Sequence, residues 1–164
     1  MKNLLSGCCL VAMSSVAVAQ EIKGIAFFHQ NWEMYCSNTG TCRAAGYQAD
    51  AAGDNLASLF LTRQAGAKQA VTAKFALALY DEQSIPANKL KNIRFYLNGK
   101  DLGQVTVDGN ESPLMGKLST SQVTALLQQA QQKSEIVFKN AQHKWNLNLK
   151  KELTFQVRRF LYLV

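Results

Sequence analysis

Outside the first ten residues, the side chains with most chemistry to offer are two thiols and two imidazoles: Cys36, Cys42, His29 and His143. A structural zinc site usually spaces its thiolates C-x(2–4)-C, whereas these stand C-x5-C, and both histidines, over a hundred residues apart, would be needed to complete it. A dithiol redox site would read C-x-x-C, which is absent. No G-x-S-x-G, H-E-x-x-H, glycine-rich phosphate loop or EF-hand loop occurs, and the acids are too dispersed to assign an acid–base pair. His29 and His143 read as surface or packing residues. No catalytic residue, metal or cofactor is expected.

The two thiols instead read as a disulfide staple across a hairpin. Ser37-Asn38-Thr39-Gly40-Thr41 fits a three-residue loop, Asn38-Thr39-Gly40, with Gly40 at the left-handed third position. If Ser37 and Thr41 close that loop, Cys36 and Cys42 fall opposite one another at a non-hydrogen-bonded pair, about 4.5 Å apart at Cα. The same register sets Met34 against Ala44 and Trp32 against Gly46 on the cystine's face. Tyr35, Glu33, Arg43 and Tyr47 take the other. Large residues meet small ones on one face, so turn, disulfide and packing agree.

Disulfides need an oxidising compartment, and the N-terminus reads accordingly. Lys2 is a positive n-region, Leu4 to Val16 a small-residue apolar run, and Ala17-Val18-Ala19 an A-x-A cleavage site before Gln20. Residues 1–19 are expected to be a signal peptide that takes Cys8 and Cys9 with it. Lipid attachment at Cys8 is disfavoured because only seven residues precede it. A membrane anchor is disfavoured because the apolar run is shorter than the ~20 residues a span requires. Later apolar stretches such as Phe75 to Tyr80 are too short to cross a membrane. The expected location is periplasmic or secreted.

The rest of the 164-residue chain, 48% apolar, can build one core. Leu56 to Arg63 and Val71 to Tyr80 alternate as strands joined around Gly66, and Asp81 to Asn88 reads as a loop. Ile93 to Leu97 and Val105 to Val107 flank Asn98-Gly99, a type I′ turn signal. That register would set Ile93 against Gln104, which predicts a bulge or longer loop near Gly103. Ser119-Thr120-Ser121-Gln122 is a capping box opening a helix of about 119–133, with Val123, Leu126, Leu127 and Ala130 as its apolar stripe and Gln128, Gln129, Gln131 and Gln132 as a solvated face. Ile136 to Phe138 and Trp145 to Leu149 form a last hairpin around Asn140 to Lys144. The expected fold is one α+β domain over 20–150, mostly antiparallel sheet with one helix. The formal charge is +7, but cations such as Lys23, Arg43, Lys74, Lys100 and Lys139 are scattered singly, unlike the clustered stripe of a nucleic-acid site.

The pattern W-x-x-x-C-x-N-x-x-x-C-x-A-x-G-Y, Trp32 to Tyr47, resembles the opening of an exported bacterial family known as domain of unknown function 1176. The Leu118 to Leu149 stretch resembles that family's middle. The invasion-associated locus B family is a weaker likeness. Neither resemblance implies an activity, substrate or cofactor; what they imply is an exported α+β protein. The expected function is a non-catalytic envelope module that binds an envelope protein or an anionic envelope component through a sheet edge or the outer hairpin face. An enzyme or inhibitor acting on envelope polymers is the alternative. Lys151 to Val164 departs from the family pattern. It is expected to be either a last strand, since Phe155-Gln156-Val157 alternates, or a tail left by truncation or frameshift.

Overall fold

The computed structural model describes residues 24–29, 31–48, 55–66, 68–79, 91–109, 112–129 and 134–149. The expected signal peptide, the 81–88 loop, the last turn of the helix and the 151–164 tail lie outside these residues.

Eleven strands and one helix are described. In chain order they are β1 (Ile25–His29), β2 (Trp32–Cys36), β3 (Thr41–Tyr47), β4 (Asn55–Gln64), β5 (Thr72–Leu79), β6 (Arg94–Leu97), β7 (Lys100–Gln104), β8 (Thr106–Asp108), β9 (Leu114–Lys117), α1 (Thr120–Gln129), β10 (Ser134–Lys139) and β11 (Lys144–Leu149). All pairings are antiparallel. A seven-stranded sheet runs β1-β2-β3-β4-β5-β9-β8 and a four-stranded sheet runs β11-β10-β6-β7. The fold is α+β.

The first hairpin has the expected register. Cys36 opposes Cys42, Met34 opposes Ala44 and Trp32 opposes Gly46. The Cys36–Cys42 disulfide joins Cα atoms 4.0 Å apart. The Ser37 amide donates to the Thr41 carbonyl (2.9 Å), while the Thr41 amide donates to Ser37 Oγ (3.2 Å), leaving the Ser37 carbonyl to accept from Gly40. Gly40 has φ +80°. At Gly46 an added Cβ would stand 2.5 Å from the Trp32 ring, so the indole lies flat on backbone that only glycine leaves bare.

Asn98 and Gly99 both take positive φ, 51° and 78°, as a type I′ turn requires. Leu97 then opposes Lys100 and Tyr96 opposes Asp101, but Arg94 opposes Gln104. One extra residue is absorbed at Gly103, φ +97°, which moves Val105 opposite Ile93, whose carbonyl accepts from the Val105 amide (3.0 Å). Turn and bulge therefore coexist. The bulge bends the chain so that β7 ends in one sheet and β8 begins in the other.

Helix α1 holds this corner. Ser119 Oγ accepts from the Gln122 amide (3.3 Å) and Gln122 Oε1 accepts from the Ser119 amide (2.8 Å), a reciprocal capping box. The Gln122 side-chain amide also lies 3.2–3.3 Å from the carbonyls of Leu102, Gly103 and Gln104. Among the described residues it is one of two buried polar ones, with Ser134.

The core lies between the sheets. Phe138 of β10 stacks at 4.8 Å on Phe75 of β5 and at 5.3 Å on Phe95 of β6. Trp145, fully buried in β11, donates its indole N–H to the Ala78 carbonyl of β5 (3.1 Å). The Asn55 amide reaches the Lys144 carbonyl (2.8 Å). Polar bonds and aromatic contacts thus fix one sheet on the other, where hydrophobic burial alone is non-directional.

Candidate functional site

Among the described residues, no group of three or more His, Cys, Asp or Glu side chains could hold a metal ion. His143 is half-buried in the last hairpin turn, its ring 5.7 Å from that of Trp145 and its amide donating to Asn140 Oδ1 (2.7 Å). His29 ends β1. Cys36 and Cys42 are consumed by their disulfide.

One titratable cluster stands out, on the outer face of the four-stranded sheet. Arg94 Nε donates to Asp101 Oδ2 at 2.7 Å, and the Gly103 amide donates to Asp101 Oδ1 (2.8 Å). The guanidinium bond and then the amide bond hold the Asp101 carboxyl down at about 2. Arg94 and Tyr96 are both raised, chiefly by hydrogen bonding to Asp101. Lys139 Nζ sits 4.0 Å above the Tyr96 ring. Arg94, Asp101 and Lys139 are exposed and Tyr96 is half-buried, so the four form a surface charge network.

The feature that calls for an explanation is the outer face of the seven-stranded sheet. Cross-strand register places Ala26, Tyr35, Arg43 and Thr62 in one row, and Phe28, Glu33, Ala45, Phe60, Lys74 and Lys117 in the next. Tyr47, Ser58, Ala76 and Met115 form a third, with Leu56 opposite Ala78 beyond it. Among the described residues, the exposed large hydrophobic ones are Ile25, Phe28, Tyr35, Tyr47, Leu56 and Met115. All but Ile25 stand on this face. Phe28 is 74% exposed, Leu56 56% and Tyr35 50%. Large apolar side chains so exposed on one sheet face are the feature the geometry offers for contact.

The face is contoured. A trough of about 280 Å³ lies between Phe28, Tyr35 and Phe60, with Glu33 and Arg43 in its walls and Ala26 and Ala45 on its floor. A second, of about 410 Å³, lies among Tyr47, Leu56, Ser58, Ala76 and Pro113. Tyr47 and Phe60 meet edge to face between them, ring centres 6.5 Å apart at 89°. The troughs exist because Ala and Ser alternate with aromatic rings across neighbouring strands. Side chains that stand up and side chains that stop at Cβ make relief on a pleated surface.

Sequence reasoning placed Tyr35, Glu33, Arg43 and Tyr47 on the outward side of the hairpin, and there they are. It missed Phe28 and Met115, and on β4 it missed Phe60 and Leu56. The signal was present: Leu56-Ala57-Ser58-Leu59-Phe60-Leu61 is apolar on both parities, and Ala57, Leu59 and Leu61 already supply the buried face. The cations are also less scattered in space than along the chain. Lys74 stands directly opposite Lys117, and Lys139 lies between Arg94 and Lys144 in one row.

With the two sheets and the hairpin defined, one comparison is decisive. The family described as "Protein of unknown function (DUF1176)" matches residues 26–150. The chain belongs to this family. The DUF1176 match takes in the helix and every described strand, beginning at the second residue of β1 and ending just past β11. No curated protein and no solved structure matches the chain. No helix of the described residues is long and apolar enough to cross a membrane.

Proposed function

We propose that this chain is an exported, non-catalytic binding module of the bacterial envelope, which engages an envelope protein or an anionic envelope component through the outer face of its seven-stranded sheet. The observation that carries the reading is the gathering of Phe28, Tyr35, Tyr47, Leu56 and Met115 on one sheet face, around two alanine-floored troughs. Rings standing on a rigid sheet lose little conformational freedom on contact, so they make efficient anchors. Lys74 opposite Lys117 on the same face adds local positive charge that favours an anionic partner. Export is supported by the Lys2 to Ala19 pattern and by the disulfide, which is at home in an oxidising compartment.

A photocrosslinking residue placed at Tyr35 tests this in intact cells, with the same residue at Tyr96 on the other sheet as control. Adducts from position 35 and none from position 96 are expected. Equal labelling from both positions, or none from 35, refutes the binding face. Turnover of cell-wall or lipid substrates by the purified chain would decide for an enzyme of envelope polymers instead.

A further inference from the structure

An exposed strand edge presents unpaired backbone donors and acceptors to any passing chain, and proteins protect such edges with charge, proline, bulges or brevity. Among the described residues four strands are edges: β1 and β8 of the larger sheet, β7 and β11 of the smaller. β8 is three residues long and ends in Asp108. β7 carries Lys100, Asp101 and the bulge at Gly103. β11 opens with Lys144 and carries Asn146 and Asn148. β1 is different. Its five residues, Ile25-Ala26-Phe27-Phe28-His29, contain no proline, acid, lysine or arginine and keep an unbroken register with β2.

The direction of its backbone groups follows from the disulfide. Cys36 and Cys42 approach to 4.0 Å at Cα, the mark of a non-hydrogen-bonded pair. Alternating from there, Glu33 and Tyr35 bond towards β3, whereas Trp32, Met34 and Cys36 bond towards β1. Their partners in β1 are His29, Phe27 and Ile25. The N–H and C=O groups of Ala26 and Phe28 therefore point away from the sheet. The Phe28 side chain, on the outer face, is the most exposed of the large hydrophobic residues described.

We infer that β1 pairs with β1 of a second copy of this chain, antiparallel about a two-fold axis at Phe27. The symmetry meets the bonding pattern: Ala26 falls opposite the partner's Phe28 and Phe28 opposite the partner's Ala26, so the outward groups of both strands exchange four backbone hydrogen bonds. It also meets the packing pattern. Each Phe28 ring lies against the partner's Ala26, large on small, the arrangement that Trp32 and Gly46 already make within the chain. No like charges meet, since β1 has none of fixed sign. A foreign strand would satisfy the backbone equally, but only a second copy is specified by this self-complementarity. The pairing runs the two outer faces together into one surface. It goes beyond the envelope-binding reading and stands even if that face has no envelope ligand.

The test is sedimentation equilibrium across a range of concentrations on the chain purified from the periplasm, with intact mass reporting where it begins. Phe28→Lys puts a charge at an exposed outward position. Ala26→Pro removes an edge donor without touching the β1–β2 ladder, a place where proline is tolerated. A reversible dimer is expected, weakened about tenfold or more by either change, because the two-fold axis makes every substitution count twice. Measured at a concentration where the wild-type chain is monomeric, the melting temperatures of both variants are expected to be unchanged, which shows that the fold is retained. A wild-type chain that stays monomeric to about 1 mM overturns the proposal. So does a dimer indifferent to both β1 substitutions, or one lost only when Lys151 to Val164 is removed.

Discussion

Gln122→Glu separates what the capping motif says from what the fold requires. By motif alone the change is harmless, since Glu is as good as Gln at the third position of a capping box and better placed in the field of a helix N-terminus, by about 0.5 kcal/mol. In the folded chain the outcome reverses. Gln122 is 2% exposed, and its amide nitrogen lies 3.2–3.3 Å from the carbonyls of Leu102, Gly103 and Gln104. A carboxylate has no hydrogen to give them. The variant loses about two net hydrogen bonds, at about 1 kcal/mol each, and sets a buried negative charge against three carbonyl oxygens, at about 1–3 kcal/mol more. Less the helix-terminus gain, the net loss is about 3 kcal/mol, read as a lowered urea midpoint at pH 7 with unchanged slope. The sign of the pH dependence follows. The introduced carboxyl is raised in the folded state, so its protonated form can donate again; the deficit shrinks at low pH and grows as pH rises through that raised value. A variant within 0.5 kcal/mol of wild type at pH 7 would refute the reasoning.

Other outcomes follow from the same geometry. Replacing Cys36 and Cys42 together by Ala should cost about 2 kcal/mol, because the closed loop is short, and leave the fold intact by circular dichroism; free thiols in the oxidised protein would contradict the bond itself. Asp101, held at about 2 by Arg94 and the Gly103 amide, contributes stability that is present above its unfolded value of 3.8 and is lost as pH falls towards 2. An NMR titration should find its carboxyl still ionised at pH 3, and Asp101→Asn should flatten the acid limb of the stability curve. Deleting Lys151 to Val164 is expected to leave the melting temperature unchanged and raise solubility. A chain that unfolds on deletion would make that segment a structural strand.

The first hairpin was legible residue by residue because everything that sets it is local. Gly40 selects the loop, the loop selects the register, and a two-residue period then assigns Trp32, Met34 and Cys36 to one face and Glu33 and Tyr35 to the other. The capping box at Ser119 and Gln122 was legible for the same reason. Half of the candidate site was visible in this way, since Tyr35, Glu33, Arg43 and Tyr47 belong to that hairpin. The other half was not. Phe60 and Leu56 become part of it only because β4 pairs with β3 in one register, and the pairing of separate strands leaves no mark within either.

The amino-acid sequence by itself therefore determined the disulfide, its hairpin, the start of the helix and the mostly antiparallel character of the chain, all through contacts between residues a few positions apart. Tertiary structure alone decided which strands form which sheet, that the chain crosses between sheets at Val105, and that the Gln122 amide closes on carbonyls 18 to 20 residues away. It also decided that Lys74 and Lys117, separate along the chain, stand side by side. Such choices rest on contacts whose loop entropy and packing energy are settled together, over the whole core at once, and no local pattern records them.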